Sequence, residues 1–459
     1  MAGKLPGGSR YSVLGGARSG LAVTRLLAVQ GASVFLSDSA TEEKMRAAAV
    51  ALDAIGVAHE FGVNSERVLE ADTIVVSPGV PSDAPIVKEA IARGIGVVSE
   101  LEVASWFCPA PVVAITGTNG KTTTTVLAGR MFSDARMSPV VAGNIGTAFS
   151  EVVGKLKEDD LVVLEVSSFQ LDYIRSFRPR VAVILNITPD HLDRYEHSFE
   201  KYKASKERIF MNQGAGDVII FNDDDEVTRA AVTRDVPSAV QMLPFSTRRI
   251  LARGAYLSAG GVLTVAVGAK KHDIVAAAGI SIPGEHNLAN AMAASLAAIV
   301  MGVPPASVRA TLKNFKGVEH RLEFVRELDG VRYVNDSKAT NVDSVWYALR
   351  SFDRPLIVLI GGRDKGNDYE RLVGPVREHV RAVIAIGESA DKVRSAFERV
   401  VPVETAPTME SAVAAARSLA QVGDIVLLSP ACASFDWFEN YEQRGRVFKD
   451  VVMSFASTA

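Results

Sequence analysis

Residues 112–125, VVAITGTNGKTTTT, constrain this chain more than any other stretch, because an apolar strand pattern runs straight into a glycine loop ending in Lys-Thr. The threonine run after it is expected to open a helix. Strand, loop and helix in that order make a nucleotide triphosphate site. Backbone N–H groups of Gly117 to Lys121 are expected to cradle phosphate oxygens, the Lys121 ammonium to reach the β and γ phosphates, and the Thr122 hydroxyl to hold Mg²⁺. Ile115 stands five residues before Gly120, where the general phosphate-loop pattern has glycine, so the loop belongs to a narrower class. An ordinary strand, turn and helix corner with an exposed lysine is the competing reading.

Apolar runs alternate with longer helical patterns almost throughout, as in parallel sheets covered by helices, so the expected class is α/β with domains in series. At 459 residues the chain exceeds one compact core, and three domains are expected. A first set of strand patterns lies at 11–14, 33–36, 73–76 and 97–98. A second begins at Val112 and continues at 140–141, 161–164, 181–185 and 218–221, and a third lies at 355–360, 382–386, 401–403 and 424–428. The polar segment around His320 and Arg321 reads as a hinge or a domain boundary.

A formal charge of -3 with 22% charged residues offers no basic surface for nucleic acid. Cys108 and Cys432 cannot build a disulfide framework or a zinc site by themselves, which suits a reducing cytoplasm. The opening residues carry no signal-peptide pattern, so no export leader is expected. Residues 287–308 are uncharged but alanine-rich and contain Asn290, Ser295 and Pro304-Pro305; they read as a packed core helix rather than a membrane span.

Gly15-Gly16-Ala17-Arg18-Ser19-Gly20 follows the first strand pattern and Asp38 closes the second, as in a dinucleotide fold. Ala17 occupies the place where a second glycine would admit a pyrophosphate, which argues against NAD. Another nucleotide at the helix N-terminus and plain packing of helix on strand both stay open. The pattern 161–165, LVVLE, is a buried strand ending in a carboxylate where parallel sheets place ligands, so Glu165 is a candidate Mg²⁺ ligand. His191 falls at the same rim; magnesium prefers oxygen, and a structural role competes with a ligand role. Lys206, within YKASKER, reads by composition as a solvated lysine.

Together TGTNGKT (116–122), EVSSFQL (165–171), NITPDHLDRY (186–195), DSKATN (336–341) and SPACASFDWFENYEQ (429–443) resemble segments of the Mur ligases, most closely of members that add D-glutamate. The resemblance covers essentially the whole chain. It implies a Rossmann-like UDP-substrate domain at 1–100, a central P-loop ATPase-like domain at 101–317 and a Rossmann-like amino-acid domain at 318–459. By the same resemblance Gly117, Thr118, Asn119, Gly120, Lys121, Thr122 and Thr123 hold ATP, with Asn287, Asn290, Arg321 and Asp336 in its cleft. Lys121, Glu165, His191 and Lys206 form the catalytic set, and Thr122, Glu165, His191 and Lys206 serve metal. Lys206 matches the lysine that the family carbamylates: an ammonium repels a cation, whereas its CO₂ adduct offers two anionic oxygens.

Arg18, Ser19, Asp38, Ser39, Ser77, Gly79 and Asn144 are implied for the UDP substrate. Lys338 or Thr340, Lys365, Ser434 and Tyr441 are implied for the amino acid. Some relatives place Ser or Thr and then Arg after the acidic residue of the second strand, whereas here Asp38-Ser39 precedes Ala40, which leaves that contact to Arg18 or to nothing. The implied reaction is ATP-dependent amide synthesis on small molecules by a cytoplasmic monomer, with UDP-N-acetylmuramoyl-L-alanine, D-glutamate and ATP as substrates, an acyl phosphate as intermediate and Mg²⁺ as cofactor. A sibling ligase that adds another amino acid, or extends folate, is the first alternative; SPACASFD and the missing Asp-Asn-Pro-Arg signature of diamino-acid addition argue against most of these. A catalytically silent nucleotide-binding relative is the second, opposed by intact Lys121, Glu165, His191 and Lys206.

Overall fold

Gly15 ends the first strand at φ +90°, a left-handed conformation open to glycine without steric cost, and the chain turns there into the helix Arg18–Val29. Gly20, one turn into that helix, lies so close to the Gly15 carbonyl that a Cβ would collide with it. These two glycines set helix against strand in a computed structural model that describes residue 5, residues 10–364 and residues 366–456.

Among the described residues β1 (Arg10–Leu14), β2 (Ser33–Asp38), β3 (Ala58–Phe61), β4 (Thr73–Val76) and β5 (Gly96–Ser99) form a parallel sheet in the order β3-β2-β1-β4-β5. The order reverses between β1 and β4, and the carboxyl ends of strands at such a point leave a crevice for ligand. A second sheet is built from β6 (Val112–Thr116), β7 (Pro139–Gly143), β8 (Leu161–Glu165), β9 (Val181–Ile184), β10 (Val218–Asn222), β11 (Gln241–Ser246), β12 (Gly254–Leu257), β13 (Val262–Val267) and β14 (Lys270–Ala276). Its order, β14-β13-β12-β11-β10-β9-β6-β8-β7, sets β6 between β9 and β8, with every residue of β6 buried.

The third sheet joins β15 (Glu323–Leu328), β16 (Val331–Asn335), β17 (Leu356–Gly361), β18 (Val380–Ile386), β19 (Val403–Ala406) and β20 (Ile425–Leu428) in the order β15-β16-β20-β17-β18-β19. Apolar side chains pack on both of its faces. The expected α/β class is what the chain adopts. The first two sheets lie in one compact unit, the chain through Ala277 with Ala289–Leu312; the third lies in another, Ala278–Leu288 with the chain from Lys313.

Three local expectations need correction. The stretch 241–276 holds four strands with no helix between them; β12, β13 and β14 run antiparallel through short turns at Gly261 and Gly268, both at positive φ. The strand expected at 401–403 starts at Val403, because Pro402 has no N–H to donate to a ladder. The uncharged stretch 287–308 is split at Gly302 and Pro304 into the helices Glu285–Val300 and Pro305–Asn314, and no helix of the described residues is long and apolar enough to cross a membrane.

Candidate active site

Register places the phosphate loop. Ile115 pairs with Glu165 of β8 and Thr116 with Ile184 of β9, so the loop after β6 emerges between the carboxyl ends of two neighbours. Gly120, at φ +86°, caps the helix Lys121–Asp134, whose Thr122 to Thr125 are buried. Asn186 clamps the loop: its Oδ1 accepts from the Asn119 N–H at 2.8 Å and its Nδ2 donates to the Asn119 carbonyl at 3.1 Å. The Thr118 hydroxyl donates to the Thr188 carbonyl at 3.0 Å and lies 3.1 Å from the Tyr202 hydroxyl. Asn290 reaches the helix start, where its Oδ1 accepts from Thr124 Oγ1 at 3.2 Å.

Two amines meet at this loop. Lys121 Nζ donates to the carbonyls of Gly117 at 2.9 Å and Thr118 at 2.8 Å. Lys206 Nζ donates to the same Gly117 oxygen at 2.9 Å, so the two nitrogens lie within about twice that distance of each other. The solvated-lysine reading of Lys206 is therefore overturned: the side chain is 1% exposed, with its amine 4.8 Å over the Tyr202 ring. Its helix, Phe199–Glu207, is polar overall, and the buried face comes only from Tyr202, Ser205 and Lys206 itself. Burial holds the Lys206 pKa well below its ordinary value and the Lys121 charge pushes it the same way, against Asp190, Asp172 and Glu165.

Glu165, 2% exposed, accepts from Asn144 Nδ2 on Oε1 at 2.9 Å, while its buried Oε2 has no hydrogen-bond partner. A buried carboxyl oxygen left unpaired is costly unless a cation takes it, and with the Thr122 hydroxyl beside the loop the donor set fits a hard divalent ion. His191, at φ +52°, follows β9 with Asp190 Oδ2 3.7 Å from its Nε2 and its ring edge-on to Phe169 at 5.3 Å.

A cavity of about 560 Å³ opens at the reversal point of the first sheet. Arg18, Ser19, Asp38, Ser39, Ser77, Gly79 and Asn144 all line it. Asp38 also holds the loops in place, accepting from the N–H of Gly16 at 2.6 Å and of Ala40 at 2.7 Å. Residue reasoning missed Asn64, Val80, Pro81 and Gln170 on the same wall. Gln170 carried a signal in its capping box with Ser167; Asn64, after the short strand β3, carried none.

In the second unit, Asp336 follows β16 and accepts from Ser429 Oγ at 2.9 Å; burial pushes its pKa up to about 6 against the pull of Arg321. Lys338 Nζ lies 5.2 Å over the Tyr441 ring, and the Ala431 N–H donates to the Ala339 carbonyl at 2.9 Å. The fully buried Arg444, missed in the sequence, donates to the Ser337 carbonyl at 2.8 Å and the Cys432 carbonyl at 3.1 Å, fastening the loops that carry Lys338, Thr340 and Ser434. Asn287 lies in the first turn of its helix, where its Nδ2 donates to the Pro283 carbonyl at 2.7 Å. Lys365 lies outside the described residues.

Three family models match the chain: Mur ligase MurD-like, N-terminal domain, over residues 9–99; Mur ligase middle domain over 115–298; and Mur ligase, glutamate ligase domain, over 320–432. A UDP-N-acetylmuramoylalanine--D-glutamate ligase of Salinibacter ruber is 50% identical over 451 residues, 97% of each chain. One of the same description from Chloroherpeton thalassium is 44% identical, over 97% of this chain and 98% of that one. The crystal structure of a UDP-N-acetylmuramate-alanine ligase from Thermotoga maritima superposes with a TM-score of 0.59 at 18% identity, covering 97% of this chain and 99% of that one, a likeness of fold.

Proposed function

The chain belongs to the Mur ligase family, and we propose that it joins the amine of D-glutamate to the alanyl carboxylate of UDP-N-acetylmuramoyl-L-alanine while ATP is cleaved to ADP and phosphate. The observation that carries this reading is the meeting of Lys121 and a buried Lys206 on the Gly117 carbonyl, beside the unpaired oxygen of Glu165. The identity of the substrates rests on relatives 44% to 50% identical over nearly the whole chain.

A carboxylate is a poor electrophile, so it is first activated. Its oxygen forms a bond to the γ phosphorus as the bond to the β-γ bridging oxygen breaks, giving an acyl phosphate and ADP. Lys121, at a helix N-terminus, leaves its carbonyl partners to neutralise charge on the transferring oxygens, and the loop N–H groups hold the rest. The D-glutamate amine then attacks the acyl carbon, and inorganic phosphate leaves from the tetrahedral intermediate.

Glu165, Thr122, His191 and a carbamylated Lys206 would hold Mg²⁺, which supplies Lewis-acid stabilisation of the phosphate charge. Carbamylation needs a neutral amine: its nitrogen bonds to CO₂ and loses a proton, giving an anionic carbamate. Burial of Lys206 supports this, because it disfavours the ammonium form, which has no lone pair with which to attack CO₂. We assign residues 1–100 to the UDP substrate, 101–317 to ATP and 318–459 to the amino acid, in line with the three family matches. We further propose that the chain acts in the cytoplasm and as a monomer; one copy supplies both the UDP-substrate cavity and the amines at the loop, so neither needs a second copy to complete it.

Phosphate release from ATP, measured with UDP-N-acetylmuramoyl-L-alanine and each glutamate enantiomer, tests the reading. Release with the D form alone is expected, and Lys121→Ala should lower it by about a hundredfold or more. Equal rates with other acceptors or amino acids would overturn it.

A further inference from the structure

We propose that Arg194 is a positioning residue that links occupancy of the UDP-substrate cavity to the placement of His191. Arg194 lies in the short 3-10 turn Leu192–Tyr195 that follows His191, and its N–H donates to the His191 carbonyl at 3.0 Å. Its Nη2 reaches into the first sheet's territory, donating to the carbonyls of Pro78 at 3.3 Å and Val80 at 2.8 Å. Both belong to the turn after β4 that walls the cavity, a turn closed by the Val80 N–H donating to the Ser77 carbonyl at 3.0 Å. The guanidinium stacks 4.4 Å over the Phe169 ring, whose edge contact with His191 spans 5.3 Å.

Phe169 is thus shared by an arginine that grips the cavity wall and an imidazole at the phosphate-loop rim. The buried Nε of Arg194 has no hydrogen-bond partner, so the guanidinium is held at one end by two carbonyls and otherwise by the ring. A ligand that shifts the 77–81 turn must move Arg194, and with it the stacking that orients His191. A purely structural brace would share these contacts but would carry no dependence of one site on the other.

The inference rests on the proposed UDP cavity and metal role of His191, and the test separates the two. Manganese(II) binding to the full chain is followed by the electron paramagnetic resonance of the free ion, with and without saturating UDP and corrected for ion held by UDP itself. UDP lacks the muramoyl-alanine end, so its effect must pass through the protein. UDP is expected to change the unaltered chain's manganese affinity about fivefold or more, the lower end of couplings between sites. In Arg194→Ala the change should fall below about twofold, with partial recovery in Arg194→Lys. Phe169→Leu keeps the apolar bulk and removes the ring face, so it should also lose the dependence, and it stands in if Arg194→Ala does not fold. Retention of the full effect in these variants, or no effect in the unaltered chain that binds UDP, overturns the proposal. Failure of the unaltered chain to bind UDP overturns the cavity assignment and the proposal with it.

Discussion

Replacing Lys206 by methionine should separate stability from catalysis. The substitution removes a hydrogen bond to the Gly117 carbonyl, worth about 1.5–3 kcal/mol if the donor is charged, and a contact with the Tyr202 ring worth up to about 2 kcal/mol. The acceptor is not orphaned, because Lys121 Nζ still donates to it at 2.9 Å. Against the loss stand the several kcal/mol that a desolvated ion costs and relief of repulsion from Lys121. The opposing terms are similar in size, so Lys206→Met should lie within about 2 kcal/mol of the parent, with a melting temperature unchanged or raised by up to about 4 °C for a chain of this length. Phosphate release should nevertheless fall by about a hundredfold or more. Short-chain carboxylic acids should restore part of it in Lys206→Ala, where they can occupy the vacated space. Undiminished turnover in Lys206→Met, or a loss of stability well beyond 2 kcal/mol, would refute the reasoning.

The same residue fixes the sign of a pH effect. An unfolded lysine keeps its proton to about pH 10.4, whereas the folded amine gives its proton up at lower pH. Between those limits the unfolded chain binds more protons, so the contribution of Lys206 to stability rises with pH; its penalty is full below the folded pKa and gone above the unfolded one. In CO₂-free buffer the stability advantage of Lys206→Met over the parent should therefore shrink as the pH rises toward about 10. An advantage that stays constant across that range, in paired thermal melts, would mean that the amine is not neutralised by folding.

Gly120→Ala should cost about 2–3 kcal/mol by chemical denaturation and weaken ADP binding at least about tenfold, since the added Cβ sits at a left-handed φ and collides with Asn290, the partner of Thr124. Gly31→Ala, also at positive φ but in open space, should cost only about 1 kcal/mol and leave ADP binding alone; equal losses would argue against the steric reading. Asp336 has its pKa raised to about 6, so its folded form holds a proton that the unfolded chain has released, and its contribution to stability is full below about pH 4 and falls as the pH rises to 6. Asp336→Asn should remove that fall in thermal melts, and a parent and variant with parallel pH profiles would contradict it.

The phosphate loop was legible because each residue type there answers one local demand: apolar β6 for a buried strand, Gly120 for a left-handed φ, and threonines for a helix start that packs. The cavity residues were reached through the family resemblance, and the sheet explains why they meet: Asp38 ends β2, and Arg18 and Ser77 come just after β1 and β4 at the same carboxyl edge. The region 241–276 was not, because short strands joined by turns lack the strand and helix alternation that marked the rest. Lys206 and Arg194 were opaque in a deeper way. Lys206 takes its surroundings from the Gly117 carbonyl, 89 positions back, and Arg194 from Pro78 and Val80, 116 and 114 positions back, so no window along the chain contains the partner. A buried lysine amine in a polar helix breaks the local rule that lysines face water, and it persists only where distant groups receive it. Charge that local patterning misplaces is thus the mark of the site itself: in this chain the lysine misread as solvated is the one that the fold brings to the phosphate loop.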